Sequence, residues 1–394
     1  MIPKYYEFYN PVKIIAGENS VDNLPYELDL LNVKKPIIIT DKGVEGAGLI
    51  DIVKKVFDAS NLKIGAIFDE TPPDSSVEVV NKVAEIYKKK KCDSIIAVGG
   101  GSAIDTAKGV NIVVTEESND LMKFVGAELL KKPMKPLIVV PTTAGTGSEV
   151  TLAAVISDKS KDVKMAFTSY NLLPKVAIVD PRMTLTMPPK ITAATGMDAL
   201  VHSIEAYIGL QKNPLSDAYA FTAIKLISEN IVKAVEKGKD KKVRLAMANA
   251  ATIAGISFSN SMCGMVHGLG HAIGGVSHVP HGVAMNIFLP YGLEYNLPKV
   301  KDYIGEILLP FAGPEVYSNT RKEKRAEKLI DLIRKLQVKL EQKAGLPRTL
   351  KDAGVKKSQF EEIAKHAIND GSLTYNPVEV SVKDAMKIIE AAYE

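Results

Sequence analysis

The sequence predicts a chain in two parts. An α/β dinucleotide-binding domain, a parallel sheet with flanking helices, spans 1–185, and an all-α metal-binding domain spans 186–394. Three observations carry this reading. Short β-branched apolar runs alternate with amphipathic segments through the first 180 residues, the signature of a parallel sheet wrapped by helices. After the Pro188-Pro189 break the strand-like runs disappear and long helix-forming stretches take over. A chain of 394 residues also exceeds what one core usually organises.

The strands are expected in "PIIITD" (36–41), "IGAIFD" (64–69), "SIIAVGGG" (94–101), "LIVVPTT" (137–143) and "VAIVDP" (176–181). Their near-continuous Ile and Val content suits strands buried on both faces. Between them, 48–60 and 75–91 place apolar residues at helical spacing. In the second part, 325–345 reads as an amphipathic helix with Gly345 just past its end.

Composition narrows the function. A hydrophobic share of 46%, a charged share of 24% and a net charge of +4 describe a water-soluble globular protein. The basic runs "KKKK" (88–91) and "RKEKRAEK" (321–328) carry no interleaved aromatics to stack on bases, so no nucleic-acid partner is expected. No apolar run reaches the ~18 residues of a bilayer span, so no membrane partner is expected either. The N-terminus lacks signal-peptide character. With Cys92 and Cys263 the only cysteines, a reducing, cytoplasmic location is expected.

"GGGSAIDTAKG" (99–109) follows a predicted strand and opens a helix. Glycines there let backbone N–H groups approach a pyrophosphate, and the helix dipole favours the anion. Gly99, Gly100, Gly101, Ser102 and Asp105 are the candidate cofactor contacts in this segment. The dinucleotide fingerprint G-x-G-x-x-G is not met, because Ile104 takes the third glycine slot. Thr142, Thr143, Thr146 and Ser148, in "PTTAGTGSE" (141–149), offer donors at a second strand end. Asp41 closes the first internal strand, where its carboxylate would accept from a ribose and repel a 2′-phosphate. That favours NAD, with NADP possible. Asp41 precedes the glycines by fifty-eight residues, whereas the usual acid follows them, so the topology must depart from the standard dinucleotide half.

Four of six histidines fall within "HGLGHAIGGVSHVPHG" (267–282). Asp198 and His202 lie at i, i+4 in "GMDALVHSIEAY", as do His267 and His271, so each pair shares a helix face. Asp198, His202, His267 and His281 make one carboxylate and three imidazoles, a set suited to Fe²⁺ or Zn²⁺. His271 remains free to pass protons. His278 is a pocket-lining or ligand-supporting candidate, and Cys263 either a small buried residue or part of the pocket wall. Phe167, Phe258, Met262 and Met265 read equally well as an apolar pocket wall and as ordinary core.

These segments, in this order, resemble the iron-containing (group III) alcohol dehydrogenase family, with its dehydroquinate-synthase-like architecture. The resemblance covers nearly the whole chain. It implies hydride transfer between an alcohol or aldehyde and NAD(H), a metal on Asp198, His202, His267 and His281 that is iron ahead of zinc, and an active site in the cleft between the domains. It also implies Lys164 near the nicotinamide ribose, and homodimers. One departure concerns the adenosine side: many members carry Asn-Pro where this chain reads "TPPDSS" (71–76). Primary alcohols of short to medium chain length are the expected substrates. A glycerol-type polyol dehydrogenase or a metal- and NAD-dependent lyase is the alternative on the same fold. A metal hydrolase would leave the glycine loop without a purpose. A non-catalytic nucleotide- or metal-sensing module would tolerate loss of His271, whereas a dehydrogenase would lose most turnover while retaining metal.

Overall fold

The structure, a computed structural model, describes residues 3–58, 60–158 and 163–394. Ala59, in the predicted helical segment 48–60, lies outside them. The chain forms two compact units, Asn10–Thr186 and, from Met187 onward, a helical unit.

The first unit runs β1 (Lys13–Ala16), α1 (Leu24–Leu30), β2 (Pro36–Ile39), α2 (Lys42–Gly46), α3 (Leu49–Asp58), β3 (Ala66–Phe68), α4 (Val77–Lys90), β4 (Ser94–Gly99), α5 (Gly101–Glu116), β5 (Gly126–Ala127), β6 (Leu137–Pro141), β7 (Ala153–Asp158), β8 (Val163–Thr168) and β9 (Val176–Val179). Six strands form a parallel sheet in the order β1-β9-β6-β4-β2-β3. Alternate residues face opposite cores. Ile37, Ile39, Ile95 and Val139 pack with Val80 and Val83 of α4 and Ala107 of α5. Ile38, Ile96, Ile138 and Ile178 pack with Leu28 of α1 and Val53 of α3. Both faces are dry, which is why these strands read as continuous apolar runs. Each such Ile contributes ~1.5–3 kcal/mol of burial.

The strand order answers the question Asp41 raised. The chain leaves β2 for β3 on one side and returns to β4 on the other, so β2 and β4 are neighbours at a topological switch point. Ligands of open α/β sheets bind at the carboxyl ends there. The acid and the glycines sit on adjacent strands, with their order along the chain reversed.

A second sheet, β5-β8-β7, was not foreseen. β7 and β8 pair antiparallel, and β7 alternates between covered and open positions, so neither shows a continuous apolar run.

The helical unit contains α6 (Pro189–Ile208), α7 (Pro214–Glu236), α8 (Lys241–Ser259), α9 (Met265–Ser277), α10 (His281–Asn319), α11 (Arg325–Ala344), α12 (Phe360–Ala367) and α13 (Val382–Ala391). Helix α6 is its centre, buried without a break from Gly196 to Ile208. Helix α11 ends as expected, with Gly345 in the left-handed region at φ 65°. Described residues before Asn10 group with this unit, not with the α/β domain the sequence reading assigned them to. The Tyr9 N–H donates to Asn260 Oδ1 at 2.7 Å, and the Phe8 ring stacks on Tyr219.

Candidate functional site

Helix α6 presents Asp198 and His202 one turn apart, both almost fully buried (2% and 5% exposed). Helix α9 contributes His267, and His281 is the first residue of α10. Gly282 makes that approach possible: a Cβ there would stand 2.5 Å from the Ala194 carbonyl oxygen of α6. Asp198 Oδ1 faces His281 Nε2 at 3.2 Å, and His202 Nδ1 and His267 Nε2 at 3.8 Å each. Ligand atoms of Asp198, His267 and His281 all lie within 4.8 Å of one another.

Asp198 Oδ1, His202 Nδ1 and His267 Nε2 are buried, yet none has a hydrogen-bond partner among the described residues. Three converging orphaned polar atoms in one spot are costly unless a cation satisfies them. Carboxylate oxygen and imidazole nitrogen are also the donors a borderline divalent ion takes. The residues therefore fit the metal expected of them. Burial alone would raise the Asp198 carboxyl, but the His202, His281 and His267 rings hold it well below the usual carboxylate range. Burial pushes His202 down to about 3, which keeps the ring neutral with one nitrogen free to donate its lone pair. Its ring also stacks on Phe258, with centroids 4.1 Å apart.

Three residues complete this arrangement beyond the sequence reading. Glu205, 3% exposed, receives the Val266 N–H at 2.6 Å and meets His267 Nδ1 at 2.5 Å. It thus caps the N-terminus of α9 and turns His267 Nε2 toward Asp198. Its signal was present, since 198, 202 and 205 share one helix face. Asp370 Oδ2 meets His271 Nδ1 at 2.9 Å, a pairing across ninety-nine residues with no local trace. Cys263, a free thiol in the turn before α9, lies within 4.8 Å of ring nitrogens of His202 and His267. The sequence offered Cys263 as a small buried residue or a piece of pocket wall and gave the site no cysteine ligand; the geometry puts its sulfur at the edge of the cluster.

Replacing Glu205 with glutamine is expected to weaken Fe²⁺ binding ~10–100-fold, the usual cost of losing a carboxylate behind a ligating histidine. Anaerobic dialysis against a competing chelator measures it, and unchanged affinity would remove Glu205 from the account.

His271 does not join the ligand set. Its ring stacks on His281 at 5.3 Å while its side chain stays 41% exposed, so it adjoins both the cluster and solvent. His278 is exposed at the left-handed C-cap of α9 and supports no ligand. Phe167 is 1% exposed within the core of the α/β unit, which decides for core over pocket wall.

The cofactor candidates of the α/β unit gather at the switch point. Gly100 is the N-cap of α5 and provides no side-chain cap, leaving the first helical N–H groups open. A Cβ at Gly99 would stand 2.5 Å from Ala103 Cβ, which excludes any side chain from this turn, and 3.5 Å from Asp41 Oδ2, which places the acid beside it. Thr143 and Thr146 line the other wall: Cβ atoms at Gly100 and Gly101 would meet their side chains at 3.2 and 3.1 Å. The Thr142 N–H donates to the Gly99 carbonyl at 3.0 Å. Backbone, small side chains and hydroxyls thus form a cradle of the kind a pyrophosphate fits. Asp41 itself caps α2, its Oδ1 accepting from the Val44 N–H at 3.0 Å.

Other candidates are already engaged. The Ser102 hydroxyl donates to the Pro73 carbonyl of the "TPPDSS" loop. Lys164 is exposed on β8, its Nζ 3.8 Å from Asp74 of the same loop. Asp105 accepts from the Ser148 hydroxyl at 3.1 Å and the Val155 N–H at 3.2 Å. These bonds give Asp105 and Ser148 a structural task at the floor of the cradle.

Burial pushes the Asp105 carboxyl up to about 6, against the pull of Lys108. A carboxyl raised in the folded state adds stability that is complete below its unfolded value of 3.8 and is lost as pH rises through about 6. Asp105→Asn removes that slope. Across this window the melting temperature of the wild type should fall relative to the variant by several degrees; parallel curves would contradict the assignment.

The fold is a parallel α/β unit followed by a helical unit that carries a candidate divalent-metal cluster. Residues 11–181 match the family described as iron-containing alcohol dehydrogenase, and residues 192–393 match the Fe-containing alcohol dehydrogenase family, C-terminal. The chain belongs to the iron-containing alcohol dehydrogenase family and is an oxidoreductase acting on alcohols. It is 37% identical over 389 residues to alcohol dehydrogenase 4 of Saccharomyces cerevisiae, covering 98% of each chain. It is 35% identical over 388 residues to the NAD-dependent methanol dehydrogenase of Bacillus methanolicus, covering 98% of this chain and 99% of that one. The crystal structure of a 1,3-propanediol oxidoreductase superposes with a TM-score of 0.94 at 34% identity, covering 99% of this chain and all of the other.

Proposed function

We propose that the chain interconverts primary alcohols of short to medium length and their aldehydes, with NAD as hydride carrier and Fe²⁺ held by Asp198, His202, His267 and His281. The observation that carries this is the convergence of three orphaned buried atoms on the place His281 reaches. When bound, the ion supplies Lewis acidity toward the alcohol oxygen and NAD supplies the hydride acceptor. The protein's own residues position, orient and move protons. Glu205 holds His267 in one tautomer and one orientation. His271, oriented by Asp370 and open to solvent, carries the proton released as alcohol becomes aldehyde. Gly99, Gly100 and Gly101, with Thr143 and Thr146, hold the pyrophosphate; Lys164 serves the nicotinamide ribose.

Asp41 supports NAD over NADP, since a carboxylate beside the Gly99 turn repels a 2′-phosphate. The name of the Bacillus methanolicus relative points the same way. Iron rather than zinc rests on the family, since the nitrogen and oxygen donors accept either ion. Homodimers and a cytoplasmic location belong to the same proposal, the latter supported by two free cysteines.

The test is a series of primary alcohols from methanol to octanol, assayed with NAD and with NADP on the Fe²⁺-loaded protein and on Asp41→Ala. Turnover should favour NAD, and the variant should gain on NADP by tenfold or more, equivalent to about 1.4 kcal/mol of lost repulsion. Preference for glycerol over every simple alcohol would sink the substrate reading, and an unmoved cofactor ratio the Asp41 reading.

A further inference from the structure

Two sets of ligand atoms overlap at the metal cluster. One joins Asp198, His267 and His281; the other joins Cys263, His202 and His267. His267 belongs to both, and its Nε2 is buried without a partner, as is Nδ1 of His202. The first set is built around a carboxylate oxygen, and His281 at its rim is 39% exposed. The second replaces oxygen with sulfur and joins half-buried Cys263 to the buried His202 and His267, whose ring centroids lie 4.4 Å apart. Thiolate with two imidazoles is a softer set than one built on a carboxylate, and thiolate favours thiophilic ions such as Zn²⁺.

We propose that Cys263 gives this centre a second coordination mode, Cys263–His202–His267, which a thiophilic divalent ion such as Zn²⁺ or Cd²⁺ selects over the Asp198-centred mode. The inference rests on the reading of the histidine cluster as the metal centre. On entry of the ion the Cys263 S–H bond breaks, a sulfur–metal bond forms and the proton leaves to solvent; no electron is transferred. An ion held this way has given up Asp198 and His281. Zinc and iron would thus occupy different positions in one cluster, and zinc would act as a competing occupant, not as an equivalent replacement.

Cadmium tests this without an activity assay, because a thiolate–Cd²⁺ bond adds a charge-transfer absorption in the ultraviolet. The metal-free full-length protein is titrated with Cd²⁺ alone and followed by difference absorption and dialysis. The wild type, Cys92→Ser and His281→Ala should each bind one ion and show the band. Cys263→Ser and Cys263→Ala should lose the band and bind Cd²⁺ at least tenfold more weakly, with circular dichroism showing that they remain folded. Cd²⁺ bound by the wild type without the band would overturn the proposal and leave the metal centre standing. A band that survives Cys263→Ser would overturn it too. No Cd²⁺ binding at all would bring down the metal-centre reading and the proposal together.

Discussion

Replacing Asp198 with alanine is expected to strip the chain of its metal and lower alcohol turnover at least ~1,000-fold, equivalent to about 4 kcal/mol of transition-state stabilisation. Asp198 Oδ1 is the atom on which the site converges, with all three ligand rings within 3.8 Å of it. Without it the imidazoles of α6, α9 and α10 have no negative charge between them. A cation would then meet only neutral or mutually repelling rings. The effect should appear in kcat/KM and in metal content together. A variant that keeps its metal but loses turnover would make Asp198 a residue of the reaction, not of the ligand set. His366, exposed on α12 and outside the cluster, is the control: replacing it with alanine should change neither quantity.

Replacing Lys108 with methionine is expected to destabilise the fold by about 3–5 kcal/mol, the usual result of leaving a buried charge and buried hydrogen-bonding groups uncompensated. Lys108 is fully buried beneath the cofactor cradle. Its Nζ donates to the Thr151 carbonyl at 2.8 Å, the Ala153 carbonyl at 2.7 Å and the Thr151 hydroxyl at 3.1 Å. Burial pushes it down to about 8, with Asp105 and Glu149 opposing. Methionine fills the space but leaves two carbonyls without donors and Asp105 without its cation. The double variant with Asp105→Asn should lose less than the sum of the two single changes, because the stranded charge is gone. Denaturant titration of the three variants decides. Additive losses would show that the residues do not act as a pair.

The same cluster shows how far one sequence reads. The four candidate ligands were legible because helical spacing places 198 with 202, and because histidine is scarce enough for 267 and 281 to stand out. The two-faced core of the sheet was legible in its unbroken Ile and Val runs, since burial on both faces leaves no polar beat. Asp41 was legible as an acid at a strand end; its closeness to Gly99 depended on β2 and β4 being neighbours, a fact of strand order that lies outside any local window. Asp370 and Cys263 were not legible in their roles. A carboxylate ninety-nine residues from its histidine, and a thiol set by a turn of chain, gain their partners only from tertiary packing. Glu205 is the instructive miss, because its helix face was readable and only its partner on α9 was not.

Titrating the metal-free chain anaerobically with Fe²⁺ while following NAD reduction by 1-butanol tests the central claim most directly. Activity should start near zero, rise in proportion to added iron and break sharply at one ion per chain. Full turnover before any iron is added, or activity that never tracks the bound ion, would contradict it.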